Sequence, residues 1–273
     1  MRHSCILPRI RSIRPVNEGA TRPLQHFDVK TDAPMGQVSV RLSGVVYARE
    51  TTQVFDGLSL EISEKRVAVV GRNGSGKSQL ARLVAGLAAP DQGSVSVAGV
   101  DVAKDRKGAI AQVGILFQNP DHQIIFPTVG EELTFGLTAQ GMDKTSAREA
   151  AKQMLARFDR EAWFDRPVHA LSGGQRHLVC LMAVLAMEPR LIILDEPFAG
   201  LDLATTVRLG RYLDGLPQSL IHISHDLSAL ANYDRVIWLE RGAVHMDGAP
   251  DQVLPAYEAQ MRAWGGTDDR VDL

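Results

Sequence analysis

The run GRNGSGKS, Gly71 to Ser78, constrains this chain more than any other stretch. An apolar segment, RVAVV, precedes it, and a helical pattern, QLARLVAGL, follows it. This is the G-x-x-x-x-G-K-[ST] spacing in a strand–loop–helix context, a loop that wraps phosphate oxygens with its backbone N–H groups. Side chains would obstruct that approach, which accounts for Gly71, Gly74 and Gly76. The positive end of the following helix adds to the anion site. Lys77 has the length to reach β- and γ-phosphates, and the Ser78 hydroxyl can ligate Mg²⁺. Arg72, Asn73, Ser75 and Gln79 complete the residues expected to line the nucleotide.

A second segment, LIILDEP, Leu191 to Pro197, supplies the other half. Four apolar residues read as a buried strand with Asp195 at its carboxyl end, where open α/β sheets place ligand groups. Asp195 is expected to complete the Mg²⁺ shell with Ser78, and Glu196 to orient and polarise an attacking water. Together the two segments describe a P-loop NTPase with ATP and Mg²⁺ as its ligands, and leave open what the hydrolysis drives.

The rest of the chain fits that frame. RVAVVG, AQVGILFQ, LIILDEP and SLIHISHD are short, β-branched runs that suit strands buried on both faces of a parallel sheet. Helical patterns separate them, so the expected fold class is α/β, a RecA-like P-loop core. VSVRLSGVVYA alternates apolar and polar residues, and VFDGLSLEIS reads as its partner strand after a turn at Asp56-Gly57, giving an N-terminal antiparallel β part. RVIWLERGAVHMDGAP reads as a closing hairpin around Arg241-Gly242. Between Gln118 and Leu171 the pattern turns helical, with capping-box spacings at Thr128/Glu131 and Ser146/Glu149. Ala147, Ala151, Met154, Leu155 and Phe158 fall on one helical face. Residues 119–175 therefore read as a helical subdomain inserted into a domain spanning 37–250, followed by a helix near 251–264 and a polar tail to 273.

Residues 1–36 stand apart. Arg2, Arg9, Arg11, Arg14, Arg22 and Lys30 face only Glu18, Asp28 and Asp32, with four prolines and no sustained period. They read as a disordered extension or as sequence upstream of a start at Met35. The 273 residues carry a net charge of −2, with no basic stripe for nucleic acid. Cys5 and Cys180 follow no metal or redox spacing. The longest apolar run, Leu178 to Met187, is shorter than a bilayer span of about 20 residues, so any membrane work needs another chain.

LSGGQ, Leu171 to Gln175, narrows the class. Its glycines open backbone N–H groups at a helix start, a second phosphate-binding geometry beside the first. Two such sites serve one triphosphate only by closing on it from opposite sides. The chain here resembles the ABC-type ATPases over about residues 37–250. The resemblance implies that Ser172, Gly173, Gly174 and Gln175 of one subunit meet the γ-phosphate held by a second ATPase subunit. It further implies that Gln118, 41 residues after Lys77, is the Q-loop glutamine near the metal. AGLD, ending at Asp202, matches the D-loop at the dimer interface, and His225 the histidine that senses the γ-phosphate. Tyr47 fits the adenine-stacking aromatic, with Phe55 also near. His222, earlier in the same strand, reads as structural, and His177 as a solvated residue on the signature helix.

With one cassette and 53 residues between Gln118 and Ser172, the chain lacks the paired cassettes of translation-type members and the coiled-coil insertions of repair-type members. A motor for a separate-subunit exporter stays open as an alternative. QNPDHQIIFPTVGEELTFGL resembles the same stretch in ATPases of energy-coupling factor importers for vitamins and transition metals. Asn119, Pro120, Asp121, Gln123, Thr128, Val129, Glu131, Glu132, Phe135 and Gly136 match. Pro120 stops the strand, and Ile124, Ile125 and Phe126 can line a groove for a partner helix. Residues 119–121 and 123–126 are thus the expected coupling segment. The resemblance implies a transmembrane scaffold and a small substrate-binding membrane protein as partners, with this chain peripheral on the cytoplasmic face of the membrane. Intact Ser172, Glu196 and His225 favour a homodimer. Biotin is the first expected solute, and cobalt or nickel the next.

Overall fold

The structure, a computed structural model, describes residues 37–266. The N-terminal extension (1–36) and the last seven residues of the tail lie outside the described residues.

Strands β1 (Val40–Arg49), β2 (Thr52–Ile62), β4 (Gln92–Val97) and β5 (Val100–Asp101) form an antiparallel sheet in the order β2-β1-β4-β5. Strands β3 (Arg66–Val70), β6 (Val113–Leu116), β7 (Leu191–Asp195), β8 (Ser219–Ile223), β9 (Arg235–Glu240) and β10 (Ala243–Gly248) form a second sheet in the order β10-β9-β3-β8-β7-β6. Its pairs are parallel except for the β9–β10 hairpin. The helices are α1 (Lys77–Val84), α2 (Arg106–Gln112), α3 (Val129–Ala139), α4 (Lys144–Arg157), α5 (Gly173–Ala186), α6 (Leu203–Asp214) and α7 (Pro250–Gly266).

The double burial expected of the central strands follows their two-residue period. Val67 and Val69 of β3 join a core shared with the antiparallel sheet and α1, whereas Ala68 and Val70 face α7. On β7, Ile193 belongs to the first core, while Ile192 and Leu194 pack with α3, α4 and α5. The α3–α5 layer therefore shares its hydrophobic cluster with one face of the sheet. The expected one-face residues of α4 are all buried.

Three local readings change. The β1–β2 turn is at Glu50-Thr51, since Arg49 pairs with Thr52. Asp56-Gly57 lies inside β2, where Gly57 (φ +77°) takes up a register shift between β1 and β2. The N-cap of α4 is Asp143, which accepts from Thr145 N and Ser146 N, leaving Ser146 in the first turn. A carboxylate there satisfies two orphan N–H groups, which a serine three residues later cannot do. At α3, Thr128 is the cap as expected, though Glu131 takes the Thr128 hydroxyl at 2.6 Å rather than closing a full box. The Arg241-Gly242 hairpin turn is present, with φ of +48° and +77° at its two central residues, as a two-residue hairpin requires.

Candidate functional site

The carboxyl ends of the parallel strands converge. β3 runs into Gly71, β6 ends two residues before Gln118, β7 ends on Asp195, and β8 ends two residues before His225. Their order in the sheet, β3-β8-β7-β6, sets these groups side by side.

In the loop 71–78, Gly74 and Gly76 have φ of +80° and +104°. Gly76 caps α1, and a Cβ there would lie 2.9 Å from the buried Phe55 ring. Phe55 is thus the floor beneath the loop. Tyr47, its cross-strand partner, remains half-buried beside it. Lys77 is buried, and its Nζ donates to the carbonyls of Gly71 (2.7 Å) and Arg72 (2.9 Å). Burial pulls its pKa down, opposed by Asp195, Glu196 and Glu240. Arg72, Asn73, Gly74 and Ser78 are exposed, whereas Ser75 is buried.

Asp195 is 6% exposed. Burial pushes its carboxyl up, while the Ser78 hydroxyl, which hydrogen-bonds to it, and then Lys77 hold it down. The two expected metal ligands are therefore in contact, and a hydroxyl and a carboxylate are the hard oxygens that Mg²⁺ takes. The donor set fits the ion. Glu196 has a left-handed backbone (φ +53°), which costs a non-glycine residue roughly 1–2 kcal/mol. Its N–H is tied to Ile223 O at 3.0 Å and its carbonyl to Ala199 N at 3.1 Å. That geometry turns the side chain off the strand. Glu196 Oε1 is buried without a hydrogen-bond partner, 3.7 Å from His225 Nε2. Burial raises its pKa, with His225 opposing, as suits a general base.

Ser172 caps α5 in a full capping box, with Gln175 N donating to Ser172 Oγ (3.3 Å) and Ser172 N to Gln175 Oε1 (3.0 Å). Gln175 is thus held by the cap, while Gly173 stays exposed at the helix start. Ser172, Gly173 and Gly174 line an open groove with Gln118, Asn119, His177 and Gly200, and no residue of the loop 71–78 takes part. Asp202 caps α6, accepting from Thr205 N (2.8 Å) and Thr205 Oγ1 (2.9 Å), which hold its pKa down.

His177 is 1% exposed rather than solvated. Desolvation lowers its pKa, and a hydrogen bond to the Pro197 carbonyl opposes this. The residue on the first turn of the signature helix thereby reaches the segment just past Glu196. His222 is buried as expected, with Nδ1 2.7 Å from Tyr233 Oη and its pKa lowered to about 4 by burial.

The expected coupling segment splits. Asn119 accepts from Asp121 N in a one-turn 3₁₀ helix at Pro120–His122. Gln123 points inward, accepting from Phe117 N (3.1 Å) and donating to Ile115 O (3.3 Å), so its side chain fastens the loop to the end of β6. Ile125 is 69% exposed, and Phe126 pairs with the exposed Phe135 at 5.0 Å between centroids. Ile124 and Phe126 line an open groove with Asp121, Pro127, Val168, His169 and Arg176. Arg176, which pairs with Asp121 at 2.9 Å, escaped the sequence reading. Glu132 and Phe135 stand in the sequence as motif matches without a contact; in the structure buried Glu132 accepts from Ile125 N and Phe126 N, and Phe135 extends the apolar rim. Glu132 sits on an acidic pair whose second member falls on the inward face of α3, a signal that helical spacing could have shown.

Residues 55–199, more than half the chain, match the family described as ABC transporter. This chain belongs to that family, as an ABC transporter ATPase. The ABC ATPase is 49% identical over 225 residues to the biotin transport ATP-binding protein BioM of Rhodobacter capsulatus, covering 82% of this chain and 96% of BioM. It is 42% identical to the BioM of Rhizobium etli, covering 73% and 89%. Among solved structures it is similar to cbiO1 from Clostridium perfringens, part of the ABC transporter complex cbiONQ, with a TM-score of 0.67 and 28% identity over 84% of this chain and 95% of that one. Among the described residues no helix is long and apolar enough to cross a membrane.

Proposed function

We propose that this ABC ATPase is the motor subunit of an energy-coupling factor importer for biotin, working as a homodimer around two ATP molecules at the cytoplasmic face of the membrane. The observation that carries the reading is the separation of the two anion-binding loops. The signature groove opens beside Gln118 and Gly200 with no phosphate-loop residue in it, so a second copy is the natural source of the facing phosphate. The biotin assignment rests on the likeness to the two BioM proteins. Cobalt is the next candidate, in view of 36% identity to the cobalt import ATP-binding protein CbiO of Syntrophus aciditrophicus over 76% of this chain, with nickel beside it on the resemblance of the coupling segment alone.

In this mechanism the loop N–H groups and Lys77 hold the β- and γ-phosphates of one subunit's ATP. For Lys77 this means leaving the Gly71 and Arg72 carbonyls, which already hold its ammonium close to the loop. Ser78, Asp195 and Gln118 would hold Mg²⁺, which supplies positive charge against the phosphate oxygens. Ser172, Gly173 and Gly174 of the second copy approach the γ-phosphate from the other side, with each Asp202 near the shared face and Tyr47 against the adenine. Glu196, poised by burial, accepts hydrogen bonding from the attacking water, and His225 faces the same phosphate. Catalysis here is positioning and electrostatics. Loss of the γ-phosphate removes the bridge between copies. Gln118 lines the signature groove, and the chain continues directly from it into the 119–126 segment, so closure moves the apolar groove that Ile124, Ile125 and Phe126 offer to a membrane scaffold.

Co-purification from detergent-solubilised membranes, with mass-spectrometric identification of partners, tests this reading. A transmembrane scaffold with a small biotin-binding membrane protein, and uptake of labelled biotin that depends on Glu196, are expected. Recovery with ribosomes, or only as a soluble monomer, would overturn it.

A further inference from the structure

The phosphate loop has a back as well as a front. The β9–β10 turn meets it first, with Gly242 N–H donating to Ser75 O at 3.1 Å. α7 covers the neighbouring sheet face, where Val253, Leu254 and Tyr257 pack on Ala68, Val70, Val236 and Trp238. The Tyr257 ring stands edge-on to Trp238, with centroids 5.2 Å apart. From that anchored position the helix reaches the loop twice. The Tyr257 ring packs in one cluster with Val70, the residue before Gly71, and its hydroxyl lies close enough to the Gly71 N–H for that group to lower its pKa against the rise from burial. About two turns further on, the Arg72 guanidinium stacks over the Trp264 ring at 4.8 Å. Neither Tyr257 nor Trp264 is among the residues expected to bind phosphate or to hydrolyse it.

We propose that α7 braces the phosphate loop from behind, with Tyr257 and Trp264 as positioning residues that set its affinity for nucleoside triphosphate. The physical reason is entropic. The loop has three glycines, and Arg72, Asn73 and Gly74 are exposed, so an unbraced loop would lose many conformations on closing around phosphates. Contacts that fix Gly71 and Arg72 beforehand reduce that loss and appear as tighter binding. The brace acts on binding. Glu196 and His225 lie on the far side of the site, after β7 and β8, and keep their geometry when α7 loosens.

The inference rests on the nucleotide reading, and the test separates the two. With the full-length chain, nucleotide Kd is measured by titration with a fluorescent ATP analogue and Mg²⁺, beside thermal melts without nucleotide. Trp264→Ala is expected to raise Kd about two- to fivefold, the worth of an exposed cation–π pair, and Trp264→Phe to recover most of it. Tyr257→Phe keeps the ring and removes the acceptor, and is expected to raise Kd about two- to tenfold. Turnover at saturating ATP should stay within about twofold of wild type, since no transition-state contact is lost. Wild-type Kd in both Trp264→Ala and Tyr257→Phe, even with a lowered melting temperature, would make the contacts merely structural and overturn the brace. Failure of the wild-type chain to bind the analogue would instead overturn the nucleotide reading beneath it.

Discussion

Gly76→Ala is the substitution through which the phosphate loop can be weighed. Two separate penalties meet at this position. The backbone, at φ +104° and ψ 1°, lies outside the regions open to alanine, which costs roughly 1–2 kcal/mol. The new Cβ would then sit 2.9 and 3.0 Å from two atoms of the Phe55 ring and 3.3 Å from a Val54 methyl. Phe55 is fully buried, so the ring cannot simply swing away. Forcing a methyl into a packed site costs typically about 1–3 kcal/mol. The sum, about 1–4.5 kcal/mol after a gain of roughly 0.5–1 kcal/mol from the stiffer unfolded chain, is expected as loss of stability in urea unfolding without nucleotide. Gly74→Ala is the internal control. Its φ is +80° but nothing lies within 4 Å of the added carbon, so only the strain remains, about 1 kcal/mol net. The difference between the two variants isolates the contact with Phe55, and Gly76→Ala combined with Phe55→Leu should recover part of it. Equal urea midpoints for Gly76→Ala and Gly74→Ala would refute the idea that Phe55 is the rigid floor of the loop.

Other outcomes follow from the same geometry. Glu196→Gln should bind ATP yet hydrolyse it at least about 100-fold more slowly, the scale of a lost general base, and should elute as an ATP-dependent dimer in size-exclusion chromatography; wild-type turnover would remove Glu196 from that role. Ile125→Asp alters a side chain that is 69% exposed, so it should fold and hydrolyse ATP normally but lose the membrane scaffold in co-purification, and undiminished co-purification would place the coupling surface elsewhere. His222 has a folded pKa of about 4, below its ordinary value. The unfolded chain therefore binds the extra proton first. Stability from this group is complete above about pH 6.5 and falls as pH drops from there towards 4, by up to roughly 3 kcal/mol. Buried His177 contributes with the same sign. A His222→Gln variant should show a shallower loss of urea midpoint over that window, and an unchanged slope would contradict the burial argument.

The strand–loop–helix around residues 71–78, Asp195 at the end of β7 and the glycines at the start of α5 were readable from the chain alone, because each local arrangement is carried by residue types at short fixed spacing. A strand followed by glycines and a lysine makes the same backbone cradle wherever it occurs. The central strands were readable for a similar reason, since burial on both faces forbids polar residues on either. Element boundaries were harder where two local signals compete. Asp56-Gly57 has turn composition yet lies within a strand, because pairing with β1 continues through a bulge. Ser146 has a cap spacing yet loses the cap to Asp143.

Folding alone settles which neighbours a side chain meets, and that information is absent from local pattern. Gln123 matches a coupling motif, but its amide closes on backbone groups of Ile115 and Phe117. His177 falls at a position that reads as a solvated helix face, but α5 packs in one cluster with Ile192 and Leu194 of β7, and the ring reaches the Pro197 carbonyl just past that strand. Arg176 finds Asp121 across 55 residues, and Trp264 finds Arg72 across 192. Such pairs depend on the order of strands in the sheet and on the layer each helix joins. Those are set by the burial of apolar area summed over the whole chain, an energy that no short window contains.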